Sequence, residues 1–229
     1  MTPRGNDIRL AVLDMAGTTV ADDGLVVEAF EAAADAAGVP ADGPAREHAR
    51  HYVLDTMGQS KITVFRALFD DEAIAQRAND AFEAAYAGLI QSGRAEPIPG
   101  AAEAMSALRD SGILVALTTG FSAHTQAELV AALGWQDAAD LLLTPGDGVR
   151  GRPYPDLILT ALMRAGADSV QSVAVLGDTA SDIESARRAG VSIAAGTLTG
   201  AHDERHLVAA GATHIVASVA DFADLLLKG

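Results

Sequence analysis

The segment Ile8-Arg-Leu-Ala-Val-Leu-Asp14-Met-Ala-Gly-Thr-Thr-Val20 decides the fold of this 229-residue chain. Its apolar run from Ile8 to Leu13 is short, stops at Asp14, and is followed by Gly17 and two threonines. A short apolar run that ends in this way is typical of a buried parallel strand that leads into a functional loop. We therefore expect Asp14 at the carboxyl end of a central strand.

Further apolar runs and helical patterns alternate through the second half of the chain. The predicted strands are residues 113–117, 141–143, 173–176, 191–195 and 213–216, and the predicted helices include residues 101–111, 123–133, 155–165 and 181–189. Strand and helix in alternation indicate a parallel sheet with helices on both faces. The predicted fold class is thus α/β, with a Rossmann-like parallel sheet as its core.

The stretch from about residue 25 to 93 breaks this alternation, because it contains helical pattern only. A Gly/Asp-rich segment at residues 21–24 precedes it, and Ser92-Gly93 and two prolines follow it. We interpret residues 21–95 as an α-helical cap inserted after the first strand into a core of residues 1–20 and 96–229. A cap that leaves from the carboxyl edge of a parallel sheet would lie over the site there as a lid.

Composition and charge exclude several classes of function. The chain has no cysteine, which excludes disulfides and thiolate metal sites. It has no apolar run of the roughly 20 residues that a membrane span needs and no apolar leader, so we expect a cytoplasmic protein without a membrane partner. The net charge of -15, without a basic stripe, argues against nucleic acid as a partner. A small anion could still bind where a metal, an arginine and backbone amides meet.

Four predicted strand ends carry polar groups that suit phosphoryl transfer. Taken singly, each group could be a helix cap, a turn residue or a surface charge. Their order, with each group at the end of a different strand, favours a common site. The groups are Asp14 with Gly17 and Thr18, then Thr119 with Gly120, then Arg152, and finally Asp178 with Asp182.

These groups predict a magnesium-dependent reaction with an aspartate nucleophile. Mg²⁺ prefers hard oxygen ligands and usually takes one or two carboxylates, so Asp14, Asp178, the backbone carbonyl of Ala16 and Asp182 are the candidate metal ligands. The metal and Arg152 would neutralise phosphoryl oxygens, so that the anionic Asp14 could approach phosphorus. The product of that attack is an aspartyl phosphate, which water then cleaves.

This set resembles the haloacid dehalogenase superfamily, which carries an Asp nucleophile loop, a Ser/Thr, a Lys/Arg and a Gly-Asp…Asp metal loop in this order. The resemblance covers nearly the whole chain, and residues 25–93 are similar to the helical cap of these enzymes. The matching positions are Asp14, Thr119, Arg152, and Asp178 with Asp182. The dehalogenating branch works without Mg²⁺, and the segment Gly-Asp178-Thr-Ala-Ser-Asp182 argues against that branch.

Position 16 departs from the ordinary phosphatases of this superfamily, which carry a second Asp two residues after the nucleophile. Here that residue is Ala16, which cannot protonate a departing alkoxide. Lys61 offers a different chemistry. Of the 16 basic residues only Lys61 and Lys228 are lysines, and lysine, unlike arginine, can condense with a carbonyl. The alternative is that Lys61 is a solvated lysine on a cap helix.

Several segments narrow the resemblance to phosphonoacetaldehyde hydrolases (phosphonatases). They are Asp-Met-Ala-Gly-Thr-Thr-Val at 14–20, Met-Gly-Gln-Ser-Lys at 57–61, Thr-Thr-Gly at 118–120 and Gly-Arg-Pro at 151–153. The resemblance implies that Lys61 forms a Schiff base with the aldehyde, that Asp14 takes the phosphoryl group, and that carbon leaves as an enamine. Met57, one helical turn before Lys61, would pack near the amine and bind substrate, although simple cap packing explains it equally well.

Two positions depart from the phosphonatase pattern and leave alternatives open. Val64 stands where a His is usual, and Phe121 where an aromatic alcohol is usual, while nothing shows that His48 or His51 reaches the site. The second hypothesis is therefore a phosphomonoesterase for a small phosphorylated metabolite, with Lys61 only binding substrate. The third is an inactive phosphate-binding regulatory module. Similar phosphonatases pair through their caps, which implies a possible homodimer.

Overall fold

The computed structural model of the protein describes residues 8–228, and its core is one parallel sheet. The strand order is β3-β2-β1-β4-β5-β6, the order typical of doubly wound sheets. The strands are β1 (Leu10–Asp14), β2 (Leu114–Thr118), β3 (Leu141–Leu143), β4 (Val173–Gly177), β5 (Ile193–Thr197) and β6 (His214–Val216). The predicted α/β fold and its parallel sheet are confirmed.

The central strand is buried on both faces, and this explains its unbroken apolar sequence. All five residues of β1 are buried. Because side chains alternate along a strand, Ala11 and Leu13 pack in one core cluster, and Leu10 and Val12 in a second cluster on the opposite face. In the register between β1 and β2, Asp14 is level with Thr118. The ends of the two strands therefore lie side by side.

Ten helices cover the described part of the chain, four in the insert and six around the sheet. The insert contains α1 (Leu25–Ala36), α2 (Pro44–Asp55), α3 (Lys61–Leu68) and α4 (Glu72–Gln91). The others are α5 (Ala101–Asp110), α6 (Ala123–Ala132), α7 (Asp156–Ala165), α8 (Ala180–Ala189), α9 (Glu204–Ala210) and α10 (Val219–Lys228). Helices α5, α6 and α10 pack in the cluster of Ala11 and Leu13, and α7 and α8 in that of Leu10 and Val12.

The insert, residues 21–95, has a core of packed aromatic rings. The ring centroid of Phe65 lies 6.3 Å from that of Phe30 and 6.1 Å from that of Phe82, and Phe82 lies 6.0 Å from Tyr86. These side chains join α1, α3 and α4, because a helix presents residues three or four apart on one face. The insert is thus a packed helical unit, while its boundaries at residues 21 and 95 stay a prediction.

The two linkers that join insert and sheet run antiparallel beside each other. Ala21 donates its backbone N–H to the carbonyl of Glu96 at 2.9 Å, and Ile98 donates to the carbonyl of Thr19 at 2.9 Å. A bridge pairs Val20 with Pro97 between these bonds. The chain therefore leaves the sheet edge and returns to it at one place.

Within residues 8–228, no helix combines the length and the apolar character that a bilayer crossing requires.

Candidate active site

The carboxyl ends of β1 and β4 bring three aspartates together. Asp14 ends β1, Asp178 follows β4 directly, and Asp182 lies in the first turn of α8. All three are buried, and one carboxylate oxygen from each lies within 4.8 Å of the other two. The grouping that was expected from the strand ends is therefore present in the folded chain.

The loop after Asp14 turns tightly because one backbone carbonyl accepts hydrogen bonds from three backbone N–H groups. The carbonyl of Met15 accepts hydrogen bonds from the N–H groups of Thr18, Thr19 and Val20 at 2.8–3.0 Å. Gly17 lies in the left-handed region with φ 82°, and a Cβ at this position would collide with the carboxylate of Asp178. Only glycine lets this loop approach Asp178 so closely.

Two donors hold the carboxylate of Asp178. The hydroxyl of Thr18 donates to Oδ1 at 3.2 Å, and the backbone N–H of Ala201 donates to Oδ2 at 2.7 Å. The predicted phosphate-binding residues Gly17 and Thr18 thus contact or support Asp178, and neither lines the cavity described below.

Asp182 has two roles in this geometry. Its Oδ2 accepts from the backbone N–H of Thr179 at 3.1 Å and from the Thr179 hydroxyl at 2.5 Å, which makes a capping box at the start of α8. Its Oδ1 accepts a hydrogen bond from Arg152. Asp182 therefore caps a helix, as the sequence allowed, and also orients the arginine of the site.

Arg152 is a buried cation between two carboxylates. Its Nη1 lies 2.5 Å from Oδ1 of Asp14 and also pairs with Asp182. Within the described residues, its buried Nε has no hydrogen-bond partner. Since Nη1 is paired with carboxylates and the buried Nε–H has no acceptor, the Nε–H of Arg152 is available to an anion such as a phosphoryl group.

Burial and like charge change the acidity of the aspartates. Burial raises the pKa of Asp14 to about 7, against the opposing effect of the Arg152 charge and with a smaller contribution from Asp182. Burial and then the charge of Asp14 raise the pKa of Asp178 well above its usual range. Three carboxylates with one guanidinium leave a buried excess of negative charge, which favours a bound cation.

Lys61, the first residue of α3, is buried with its amine between aromatic rings. The Nζ lies 5.5 Å from the ring centroid of Phe121 and 5.7 Å from that of Phe82. Burial, followed by the charge of Arg152, lowers the pKa of Lys61 to about 8, although Asp22 and Asp14 act in the opposite direction. Lys61 is therefore not the solvated cap lysine of the alternative interpretation.

Met57 lies in a turn, and the prediction that it stands one helical turn before Lys61 is wrong. Helix α2 ends at Asp55, and Gly58 has φ 82°, a conformation that breaks helical continuity. The side chains of Met57 and Lys61 nevertheless line the same cavity. They reach it from two different elements.

Glycines let the insert and the sheet loops approach closely along a seam formed by residues 57–61, Gly120, Gly151 and Thr179. A Cβ on Gly120 would collide with the carbonyl oxygen of Gln59, and one on Gly151 would lie 2.9 Å from Cβ of Ser60. A Cβ on Gly58 would collide with the hydroxyl of Thr179. The backbone N–H of Lys61 also donates to the carbonyl of Gly120 at 3.3 Å.

A small, partly enclosed cavity of about 30 Å³ lies beneath this seam. Of the predicted site residues, its lining includes Asp14, Ala16, Met57, Lys61, Thr119, Gly120, Arg152 and Asp178. It also includes Asp22, Val26, Gly58, Phe121 and Thr179. In this arrangement the insert lies close over the site.

The cavity also contains residues that the sequence did not assign to the site. Asp22 stood in a Gly/Asp-rich segment that indicated only a hinge, and no periodicity could place its side chain beside Lys61. Val64 is buried outside the lining, whereas Phe121 is part of it. His48 and His51 are exposed on α2 and do not line the cavity.

Comparison with known proteins identifies relatives of the chain. The sequence profile of the haloacid dehalogenase-like hydrolase family matches residues 8–190. The phosphonoacetaldehyde hydrolase of Bacillus cereus (strain AH820) is 32% identical over 206 residues, which cover 80% of this chain and 74% of that protein.

One further sequence relative and one solved structure match different fractions of the chain. A phosphonoacetaldehyde hydrolase of Bacillus cereus is 34% identical over 131 residues, or 56% of this chain, and the match spans 48% of that protein, about half its length. A phosphonoacetaldehyde hydrolase-like protein from Oleispira antarctica superimposes with a TM-score of 0.80. That alignment is 22% identical and covers 97% of this chain and 92% of that one, which supports the fold alone.

Proposed function

Because this chain belongs to the haloacid dehalogenase-like hydrolase family, we propose that it is a phosphonatase-like, Mg²⁺-dependent enzyme that cleaves the C–P bond of phosphonoacetaldehyde or a close analogue. One observation carries the proposal: the buried residues Lys61 and Asp14 line the same cavity. The similarity to phosphonoacetaldehyde hydrolases supports it. Ala16, which also lines the cavity, explains why the leaving group must depart without a proton from that position.

The aspartate cluster fits a magnesium ion by its chemistry. Three buried carboxylates with ligand oxygens within 4.8 Å of one another are the hard oxygen donors that Mg²⁺ prefers. We assign Asp14, Asp178 and Asp182 to this site, with the backbone carbonyl of Ala16. A bound Mg²⁺ supplies positive charge that offsets the charge of the phosphoryl oxygens and of Asp14.

Arg152 and the loop after β2 would hold the phosphoryl group against Asp14. The unpaired Nε of Arg152 can donate to a phosphoryl oxygen. The Thr119 oxygen accepts from the backbone N–H of Phe121 at 3.2 Å, so its own proton remains able to point at substrate. Gly120, which lines the cavity, completes this proposed phosphate site, and Gly17 and Thr18 support it from behind through their contacts with Asp178. Asp14 then attacks phosphorus and forms the aspartyl phosphate.

Lys61 would make the carbon leaving group stable enough to depart. Its neutral amine adds to the aldehyde and forms a carbinolamine. This intermediate takes a proton from solvent and loses water, which gives a positively charged iminium on Nζ. When Asp14 attacks phosphorus, the electron pair of the C–P bond moves into the iminium and gives a neutral enamine. Water then cleaves the aspartyl phosphate to phosphate, and the carbon fragment is released from Lys61 as acetaldehyde. Met57 would limit the access of water to the amine.

The test compares Lys61→Arg with Lys228→Arg in the same assays. Lys228, the other lysine of the chain, is exposed and pairs with Asp224 at 2.8 Å, so its replacement is a matched control. We expect Lys61→Arg to abolish phosphate release from phosphonoacetaldehyde, and Lys228→Arg to leave it unchanged. Borohydride added with the aldehyde should attach a carbon fragment to Lys61, which peptide mass spectrometry locates.

The same assays distinguish a phosphomonoesterase from the proposed C–P bond hydrolase. A set of small phosphate esters, assayed for phosphate release beside phosphonoacetaldehyde, would then be the better substrates. Substantial activity of Lys61→Arg on those esters, with no adduct on Lys61, would overturn C–P cleavage and establish the esterase.

Replacement of the proposed nucleophile distinguishes the hypothesis of an enzyme from that of an inactive regulatory module. Asp14→Asn should lower phosphate release at least 1000-fold, in line with the loss of a covalent nucleophile. Binding of inorganic phosphate or Mg²⁺, measured by calorimetry, should remain detectable. Persistent turnover in this variant would show that another group attacks phosphorus, and an inactive wild type that still binds phosphate would favour the regulatory module.

We also propose a homodimer that forms through the insert. Leu54 on α2 is 48% exposed, which leaves an apolar side chain on the outer surface of the insert. Analytical ultracentrifugation should give twice the monomer mass of 23.4 kDa, and a mass of 23.4 kDa at all concentrations would exclude the pairing.

A further inference from the structure

Asp22 lies at the start of the insert with its side chain in the active-site cavity. It follows the paired linker residue Ala21, and its Oδ1 accepts the backbone N–H of Val26 at 3.1 Å in the first turn of α1. The side chain is half-buried and lines the same cavity as Asp14 and Lys61. One oxygen is therefore anchored to the helix while the carboxyl group faces the site.

Asp22 is the ionisable residue of the cavity that the proposed reaction has not used. Within the described chain, the cavity lining contains five ionisable side chains. The four besides Asp22 already bind phosphate, metal or aldehyde in the proposed reaction. The positions where proton-transfer groups were expected carry Ala16, Val64 and Phe121. The five are Asp14, Asp22, Lys61, Arg152 and Asp178.

Other titratable groups near Lys61 do not line the cavity. Glu83 accepts from the hydroxyl of Ser122 at 2.6 Å and from that of Thr125, and it does not line the cavity. The hydroxyl of Tyr86 is buried and has no hydrogen-bond partner within the described residues, but Tyr86 does not line the cavity. Burial raises the pKa of Tyr86, so its hydroxyl does not readily give up its proton. Among the acidic side chains, Asp22 has the largest effect on the pKa of Lys61, ahead of Asp14 and Glu83. Burial also raises the pKa of Asp22 above its usual range, which helps its carboxyl group to hold a proton.

We propose that Asp22 is the proton-transfer residue for the carbon fragment on Lys61, an inference that rests on the proposed function. Protonated Asp22 gives its proton to the terminal carbon of the enamine, which becomes a methyl group, and the nitrogen regains its iminium form. Water then adds to the iminium carbon and gives a proton back to the Asp22 carboxylate. The carbinolamine collapses to acetaldehyde and the neutral amine, so Asp22 ends the cycle protonated, as it began.

The reverse of this step can be measured without any phosphorus chemistry. Acetaldehyde bound to Lys61 as an iminium should lose a methyl proton to the Asp22 carboxylate and regain deuterium from D₂O. Proton NMR should therefore show enzyme-catalysed loss of the acetaldehyde methyl signal in D₂O. Borohydride trapping of acetaldehyde on Lys61, followed by mass spectrometry, reports the iminium itself.

Three variants separate proton transfer from helix capping. Asp22→Asn keeps an acceptor for the Val26 N–H but cannot transfer a proton, so we expect at least tenfold slower exchange with the Lys61 adduct still trapped. Asp22→Glu keeps the acid and should exchange faster than Asp22→Asn. Asp23→Asn is the matched control, because Asp23 is exposed and its φ of 39° is one that Asn accepts, and we expect wild-type exchange.

The outcomes distinguish the two proposals. Wild-type exchange in Asp22→Asn, or equally slow exchange in Asp22→Asn and Asp22→Glu, with the adduct present in each, would overturn the role of Asp22 alone. Absence of any trapped adduct on Lys61 in the wild type would overturn the proposed function and this inference with it.

Discussion

The amine of Lys61 is surrounded by two aromatic rings and a guanidinium, and these neighbours determine its protonation. Apolar surroundings disfavour the ammonium, and the charge of Arg152 adds to that effect. Its pKa of about 8, against 10.5 for an ordinary lysine, leaves a substantial neutral fraction near neutral pH. The neutral amine is the form that can attack a carbonyl.

The rate of adduct formation at Lys61 should follow this pKa. Below about pH 8 the neutral fraction, and with it the initial rate of borohydride-trapped adduct formation, should rise about tenfold per pH unit. Above that value the amine is neutral and the rate should level off. Mass spectrometry of samples quenched between pH 6 and 9.5 measures this profile. A rate that still rises tenfold per unit above pH 9 would contradict a lowered pKa.

For individual residues, the sequence predicted which side chains at strand ends would meet, but it did not predict the positions of side chains that tertiary contacts bring to the site. Asp14 and Asp178 could be paired in advance, because the carboxyl ends of neighbouring parallel strands share one edge. The position of Asp22 depends on how the insert packs over the sheet, which no local pattern encodes. The relation of Met57 to Lys61 was predicted wrongly, because Gly58 ends the helical repeat between them.

The seam between the insert and the sheet depends on glycines that face backbone and short side chains. Gly120 is the clearest case, because the carbonyl of Gln59 occupies the space that a methyl group on Gly120 would need. The φ of Gly120 is not positive, so its backbone conformation does not require glycine. A larger residue here would act through steric contact and not through backbone strain.

Gly120→Ala should therefore hinder closure of the insert over the site. An extra methyl in a packed contact costs about 1–3 kcal/mol, which corresponds to a fall in kcat/KM of about 5- to 150-fold. Phosphate-release kinetics measure the effect, and circular dichroism shows that the fold is retained. Wild-type kcat/KM in this variant would mean that the seam does not close during turnover.

Gly88 provides the matched control for this substitution. It is an exposed residue of α4, and within the described residues nothing lies within 4 Å of the Cβ it would gain. Gly88→Ala should leave kcat/KM unchanged and raise the free energy of unfolding by about 0.4–1 kcal/mol, because alanine restricts the unfolded chain.

The elements themselves were largely predictable, and their ends lie within about two residues of the predicted bounds. The central strands β1 and β4 follow apolar runs visible in the sequence, because strands buried on both faces must be continuously apolar. The edge strands β3 and β6 are shorter and only partly buried, and their sequence signal is weaker. The break between α2 and α3 was also predictable, because the sequence pattern indicates separate helices at residues 45–55 and 60–69, and the structure has α2 at Pro44–Asp55 and α3 at Lys61–Leu68.

Across the whole molecule, the net charge of -15 and the buried aspartates should make stability depend on a divalent cation. A ligand at 100 times its Kd stabilises the folded state by about 2.7 kcal/mol, or roughly 5–10 °C in Tm for a chain of this size. Mg²⁺ should therefore raise the Tm measured by differential scanning fluorimetry at pH 7.5.

Asp178→Asn should remove most of that increase, because it deletes one carboxylate of the cluster. Asp70→Asn, at an exposed position in the loop between α3 and α4, should show the full increase. An equal increase in both variants would place the stabilising Mg²⁺ outside the cluster of Asp14, Asp178 and Asp182.

The paired linkers have an evolutionary consequence. Since residues 19–21 and 96–98 lie side by side, the intervening segment begins and ends at nearly one point of the scaffold. A module attached in this way can be lengthened, shortened or exchanged without stretching the strands that carry the aspartates. Selection can thus exchange the inserted helices while the sheet that carries the three aspartates is inherited unchanged.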